Sequence, residues 1–490
     1  MRVLVAVGIA AGAVERVVVW RSHLGALDSD EAVWGLMARH VADGTFTAFM
    51  WGQAYGGTLE TVLSAPLLAL FPGSVVALRA VPVALTAVAA VLVWRVGLRT
   101  IGGQAAAFAG VLFWVWPSYA IWKSMRAHGF YGAGVLAALL VLLFVLRLAE
   151  SPSKRDAALL GLIVGVGLWQ SAQLLPVALV AAGWLIWRKP ESLRLAPLAL
   201  GCAFLGFLPW TISNLRHDWW SFSFPPGAGT FLSRLRGVMD GALPMVFGLR
   251  VPFDLSWVGG IAIGGAAMVA LYVGFVIVAI RKRKTNVSLL VVVALAFPLI
   301  AATSTFTWIV DEPRYLYIIS PVLILLVSVA LTTWQRAGAA LLAAVALTSF
   351  GLYRMDDSPL FAERADGMFV PADFRPLIAE LDRLGIDHVY ADYWIAYRLD
   401  FETDERIIAA ESPQERYARV GKNVVVLDND HVRYRPYVDE VARSLHPAHV
   451  VITGSTDSAN VDQRLLRAAG YRRAEAGRFT IWYVPQPVAG

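Results

Sequence analysis

Charge and cysteine are the scarce ingredients of this chain. Only 16% of its 490 residues are charged, and cysteine occurs once, at Cys202 inside an apolar run. A single cysteine excludes a disulfide within the chain and a cysteine-held metal cluster. No HExxH-type spacing is present, and no clear internal repeat is visible. What is abundant is apolar surface: 58% of residues are hydrophobic and the mean hydropathy is +0.60. Soluble domains carry roughly 45–50% apolar and about 25% charged residues, so the balance is that of a polytopic membrane protein. The net charge of +6 sits in short loops between apolar runs, which excludes a nucleic-acid footprint. The 18 Trp and 15 Tyr suit interfacial belts.

Apolar segments recur from Val3–Trp20 to Ala337–Tyr353 and number about eleven, several of them shorter than the ~20 residues a straight span needs. The first has two readings, a retained span or a signal peptide with Arg2 ahead of it and Ala11-Gly12-Ala13 behind. The basic leader is minimal, so a retained span is the expectation. Glu15 and Arg16 then lie within it, paired or facing a cavity. Basic residues fall in alternate loops: Arg95 and Arg99, Arg147 to Arg155, Arg188 to Arg194, Arg281 to Lys284, and Arg336. The positive-inside rule makes that side cytoplasmic. The first outer loop (21–74), the second long outer loop (215–257) and the C-terminus are then extracytoplasmic.

Within the first outer loop, Glu31–Ala42 reads as an amphipathic helix with Val33, Leu36, Met37 and His40 on one stripe. Gly57–Phe71 reads as a second helix interrupted by Pro66. Both are expected to lie along the membrane surface. Residues 1–354 form the expected membrane domain. From about residue 355 to 490 the composition turns charged. Helical stretches at Pro371–Leu384 and Val461–Ala469 alternate with β-like runs at His388–Ala391, Val424–Leu427, Val450–Thr453 and Phe479–Val484. That alternation implies a soluble α/β domain. It has no Gly-rich phosphate loop and no nucleophile elbow, so docking or stability is its plain reading.

The chemistry concentrates in the outer loops. Asp28-Ser29-Asp30-Glu31 follows the first span and places carboxylates at a membrane surface. Asp28 with Glu31 three residues on also has the spacing of a capping box, and a capped helix start holds its carboxylates rigidly. Gln53 and Tyr55 lie in a Gly-containing turn with Glu60 one turn on; they are candidate sugar contacts, or a turn with an interfacial aromatic. Arg314 follows Asp311-Glu312-Pro313 at an expected helix start, a good phosphate site if it is not spent on its acidic neighbours. Arg126, His128, Tyr131, Gln170 and Asn214 gather at outer span ends, where cavity lining competes with packing, belt anchoring and turn capping. For metal, His217 with Asp218, or His23 with Asp28, are the weak candidates.

Several of these residues carry a resemblance. Asp30-Glu31-Ala32, Met37-Ala38-Arg39, Gly44, Leu67–Phe71 and Ala77-Leu78-Arg79 resemble the opening of bacterial family-39-like glycosyltransferases. These belong to the GT-C superfamily, with protein mannosyltransferases and the aminoarabinose transferases of lipid A. Ser124-Met125-Arg126 resembles the family's Ser-Arg segment, and Arg314-Tyr315-Leu316 followed by Pro321 its Arg-Tyr-Leu segment. The similarity runs from about residue 25 to 335. It implies a GT-C-like polytopic α-helical membrane protein with a C-terminal soluble α/β domain. It also implies a polyprenyl-phosphate-linked sugar donor, an acceptor that is a protein, lipid or glycan, and Asp30 as the base that activates the acceptor hydroxyl. Glu31 and Asp28 are its neighbours, and Asp28 is the alternative base. Arg314, Tyr315 and Arg126 are the implied donor-phosphate contacts. Attack opposite a lipid phosphate inverts the anomeric centre. Some GT-C enzymes use a divalent metal, which leaves a metal open here. Gln53-Ala54-Tyr55-Gly56-Gly57 departs from the family's His-Pro-Pro or Lys-Pro-Pro turn, so the sugar and acceptor stay unnamed. The competing class is a polytopic transporter or lipid-linked sugar flippase, which paired repeats and broken midplane helices would favour.

Overall fold

The computed structural model describes residues 2–223, 229–304, 313–358, 370–411, 416–420, 423–427, 432–454 and 463–485. Its contacts divide the chain into two units. The first comprises residues 1–25, 55–60 and 79–358; the second comprises 26–54, 61–78 and 359–490.

The first unit is helical. Among the described residues, six helices are long and apolar enough to cross a membrane: Arg2–Arg21, Val75–Thr100, Phe130–Glu150, Pro190–Arg216, Gly260–Lys282 and Trp334–Asp356. A seventh candidate is the pair Gly103–Val115 and Ser118–Ser124, bent by 69°. The bend has a local cause: Trp116, the residue before Pro117, is extended (φ −151°, ψ 147°), as the ring of a following proline requires. Other expected spans are shorter helices, Leu174–Arg188 and Val287–Ala301 at 15 residues each, and Ser320–Ser328 at 9. Residues 305 and 306 of the expected Ser288–Phe306 segment lie outside the described residues.

Helix packing in this unit uses small residues. Gly161 and Gly165 of the Lys154–Gln170 helix meet the backbone of Ala199 and Ala203 on the Ala196–Arg216 helix. A Cβ at either position would strike a carbonyl oxygen. In a bundle without a hydrophobic drive between helices, such close backbone approach supplies the packing attraction. Arg16 does not sit in lipid: its Nη1 donates to the Gly12 and Trp114 carbonyls at 2.8 and 3.0 Å, and its guanidinium lies 3.6 Å from the Trp114 ring centroid.

The second unit contains a five-stranded sheet in the order β2-β1-β5-β7-β6. The strands are β1 (His388–Ala391), β2 (Ile408–Glu411), β5 (Ala448–Ile452), β6 (Arg472–Ala476) and β7 (Phe479–Tyr483). β1 pairs parallel with β2 and β5, and β7 pairs antiparallel with β5 and β6. A separate hairpin joins β3 (Arg416–Val420) to β4 (Asn423–Leu427). Leu377 and Leu381 of the Arg375–Leu384 helix and Ile395 and Leu399 of the Tyr393–Glu402 helix close on Val389, Val450 and Ile481 to form the core. A helix at Gln463–Ala468 occupies the described part of the expected Val461–Ala469 stretch.

The segment at 21–74, expected as the first outer loop, differs most from expectation. Its helix, Ser29–Ala42, is not one-faced: every residue from Glu31 to Ala38 is buried. The reason is a close helix pair. Gly35 lets the backbone approach the Phe401 ring on the Tyr393–Glu402 helix, where a Cβ would overlap it. Ion pairs continue the contact: Arg39 meets Asp404, and Glu405 meets Arg39 at 3.5 Å and His40 at 3.0 Å. Residues 26–54 and 61–78 therefore group with the C-terminal residues, whereas the expected boundary at 354/355 places them with the membrane helices.

Candidate functional site

In the first unit, buried charge collects around one bend. Glu60, Lys123 and Arg126 are each 5% exposed or less, among apolar helices where an isolated charge would be costly. They line one small cleft together with His128, Tyr131 and Tyr317. Lys123 extends from the last turn of the Ser118–Ser124 helix, and its Nζ lies 2.8 Å from His128 Nδ1. The same Nζ stands 4.2 Å from the Tyr131 ring centroid. Arg126 donates to the Leu24 carbonyl at 3.3 Å, and the Trp122 indole donates to the same oxygen at 3.3 Å. Glu60 Oε1 accepts the Ala133 N–H at 2.9 Å, with Gly132 leaving it room. Two cations and one carboxylate thus share the cleft, an excess of positive charge suited to an anion.

In the second unit, a carboxylate collects polar neighbours instead. Asp28 caps the Ser29–Ala42 helix, its Oδ1 accepting the Glu31 N–H at 2.8 Å. That capping sets Asp30 in the first turn, half-buried, while Glu31 is fully buried. The Tyr393 hydroxyl donates to Asp30 Oδ1 at 2.5 Å. Tyr393 opens a helix capped by Asp392, whose carboxylate accepts the Trp394 N–H at 2.9 Å. Burial, and then the Asp30 charge, holds the Tyr393 phenol far above the ordinary range. Arg433 places its guanidinium 5.5 Å from the Tyr393 ring centroid. Its backbone N–H and that of Tyr434 donate to the Tyr397 hydroxyl at 2.6 and 3.0 Å. Gln53, with its amide oxygen turned toward Arg433, accepts from both guanidinium nitrogens at 3.0 and 3.2 Å.

The remaining candidates have other surroundings. Tyr55 lies in the first unit, edge-on to Phe130 at 6.1 Å, while Gln53 lies in the second. Gln170 joins chain segments: its backbone carbonyl accepts the Gly57 N–H at 3.1 Å and its side-chain oxygen the Leu59 N–H at 3.3 Å. Asn214 organises the start of the second long loop, donating to the Trp210 carbonyl at 3.0 Å and accepting the Ser221 N–H at 3.1 Å. Arg314 and Tyr315 are half-buried in a turn, and the following α-helix begins only at Ser320, so Arg314 is not at a helix N-terminus. Its neighbours Asp311 and Glu312 lie outside the described residues, as do Asp428 and Asp430 of the C-terminal stretch. His217 is hydrogen-bonded to the Ser213 carbonyl at 2.8 Å, and His23 faces Asp356 at 3.6 Å. Among the described residues, no group of three or more His, Cys, Asp or Glu gathers as a metal site.

Lys123, Tyr393 and Arg433 were not singled out from the sequence. Lys123 carried a usable signal, a lysine within an otherwise apolar helical segment. Tyr393 and Arg433 carried none, because 363 residues separate Tyr393 from its partner Asp30.

No family model matches the chain, and no curated protein matches it. Among solved structures, the chain is similar to ArnT from Cupriavidus metallidurans bound to undecaprenyl phosphate. The TM-score is 0.60 at 15% identity, covering 100% of this chain and 98% of that one. The apo state of the same ArnT gives 0.61 at 15% identity, over 98% and 97%. At this identity the likeness shows the fold: the chain shares the architecture of the ArnT structures along its whole length.

Proposed function

We propose that the protein is a membrane glycosyltransferase that moves a sugar from a polyprenyl-phosphate donor to an acceptor hydroxyl at the outer membrane face. The observation that carries this reading is the full-length fold likeness to ArnT, one of whose structures holds undecaprenyl phosphate. The residues support it. Asp30 is the half-exposed carboxylate that takes the acceptor proton as the hydroxyl oxygen attacks the anomeric carbon. The bond to the lipid phosphate breaks in the same step, and the anomeric centre inverts. Lys123 and Arg126 supply positive charge for the departing phosphate, with Arg314 as a further contact. The reading keeps about eleven membrane passages with the outer loops and the C-terminal residues outside the cytoplasm, supported by the basic residues that fall in alternate loops.

The test is transfer by purified protein in lipid nanodiscs against a panel of polyprenyl-phosphate sugars and candidate acceptors, with products identified by mass spectrometry. Product that disappears in Asp30→Asn supports the reading. Movement of intact lipid-linked sugar between leaflets, with no new glycosidic bond, would establish the flippase instead.

A further inference from the structure

The carboxylate proposed as base has a partner that the mechanism does not use. Tyr393 is 3% exposed, and its hydroxyl sits 2.5 Å from Asp30 Oδ1, within the range of a hydrogen bond to an ionised carboxylate. Asp30 Oδ2 accepts no hydrogen bond among the described residues, and the residue is half-exposed. One oxygen is thus fixed and the other presented. The phenol is itself held on three sides: by the Asp392 cap at its helix start, by Tyr397 one turn on with ring centroids 5.4 Å apart, and by Arg433 over its ring. Arg433 is tied back through Gln53 and the Tyr397 hydroxyl. The Ser29–Ala42 helix and the Tyr393–Glu402 helix pack rigidly at Gly35 and Phe401, so the hydroxyl and the carboxylate keep one geometry.

We infer that Tyr393 is a positioning residue for the transfer reaction, locking the Asp30 carboxylate so that Oδ2 faces the acceptor hydroxyl. This rests on Asp30 being the base. The C-terminal residues then contribute directly to the geometry of catalysis, beyond docking. Tyr393 donates throughout the working pH range, because burial and the adjacent carboxylate keep its phenol protonated. It therefore takes no proton in the reaction; its contribution is orientation, and misplacement of a reacting group by about 1 Å costs up to ~10²-fold in rate.

The experiment is a double-mutant cycle on the full chain in nanodiscs, with Tyr393→Phe, Asp30→Ala and the pair for thermal unfolding, and Asp30→Asn as the reference without a base for transfer. Thermal unfolding is read first and transfer second, with the donor and acceptor found active in the panel. The expected results are non-additive thermal shifts, a fall in kcat of roughly ten- to a hundred-fold in Tyr393→Phe with KM for both substrates unchanged, and no further loss on adding Tyr393→Phe to Asp30→Asn. Additive thermal shifts overturn the hydrogen bond. Wild-type kcat in Tyr393→Phe, with Asp30→Asn inactive, overturns the positioning role and leaves the base in place. Full activity in Asp30→Asn, or no transfer by wild type with any donor, overturns the base and the positioning role together.

Discussion

Glu60 and Asp30 are both acidic residues of the segment at 21–74, and they have opposite fates. Glu60, in the first unit, is buried, accepts a backbone N–H and shares its cleft with Lys123. Asp30, in the second, is half-exposed and anchored through one oxygen. A carboxylate enclosed with cations serves to balance charge and tie segments, whereas one held at an edge with a free lone pair can accept a proton. The helical unit encloses Glu60, Lys123 and Arg126 at one bend; the sheet-containing unit joins Arg39, His40, Tyr437 and Glu405 in one network.

The sharpest way to break the comparison is Asp30→Asn. We expect transfer to fall ~10²–10⁴-fold with the thermal midpoint nearly unchanged, since asparagine keeps the shape and can still meet Tyr393. Asp28→Asn should lose far less, because asparagine also caps a helix. A dead Asp28→Asn beside an active Asp30→Asn would move the base two residues upstream.

Next is Lys123→Met, which keeps an apolar stem of similar length and removes the charge. We expect donor affinity, read as KM for the lipid-phosphate sugar, to weaken ten-fold or more, about 1.4 kcal/mol, with a smaller change in kcat. An unchanged KM would reduce the Lys123 cluster to packing.

Gly35→Ala tests the helix pair that carries Asp30 and Tyr393. The added methyl overlaps Phe401, and overpacking of this kind costs roughly 1–3 kcal/mol, read as a lower thermal midpoint. A wild-type midpoint would show that the two helices are not packed this closely.

The pH dependence of the second unit tests a buried acid. Asp400 is fully enclosed and accepts the Ala409 N–H at 2.6 Å, and burial raises its carboxyl well above the ordinary 3.8. A group whose folded value is raised contributes stability that is full below the unfolded value and is lost as pH rises through the folded one. Stability should therefore decline from pH 4 upward through this group. Asp400→Asn should flatten that decline and raise the midpoint at pH 8. A midpoint lowered equally at both pH values would contradict it.

The smallest expected effect is Asn214→Ala. It loses two loop hydrogen bonds, about 0.5–1.5 kcal/mol each, and leaves the KM for donor unchanged. A raised KM would restore Asn214 to the substrate contacts.

Much of the molecule was legible in the sequence because it depends on local pattern. Long apolar runs need no partner to declare themselves, and the Asp28 cap, the helix behind it and strand β1 at His388–Ala391 follow from spacing within a few residues. β2, β3 and β6 were missed: Ile408–Glu411 is short and contains two alanines, and Arg416–Val420 and Arg472–Ala476 carry arginines that hide the alternation. Gln170 and Asn214 read as residues that could line a cavity, anchor a belt or cap a turn, because a sequence shows polarity but not the backbone groups beside it.

By itself, then, the sequence determined the membrane class, the location of its acidic and basic loop residues and the resemblance to a glycosyltransferase fold, since composition, periodicity and short motifs are properties of neighbours along the chain. Only the tertiary structure decided that residues 26–54 and 61–78 belong with residues more than three hundred positions away, that Lys123 and Glu60 share one cleft, and that the Tyr393 hydroxyl meets Asp30. Those pairings are set by complementary shape at Gly35 and Phe401 and by the cost of leaving buried charge and hydrogen-bonding groups unmatched. Neither can be summed from local sequence.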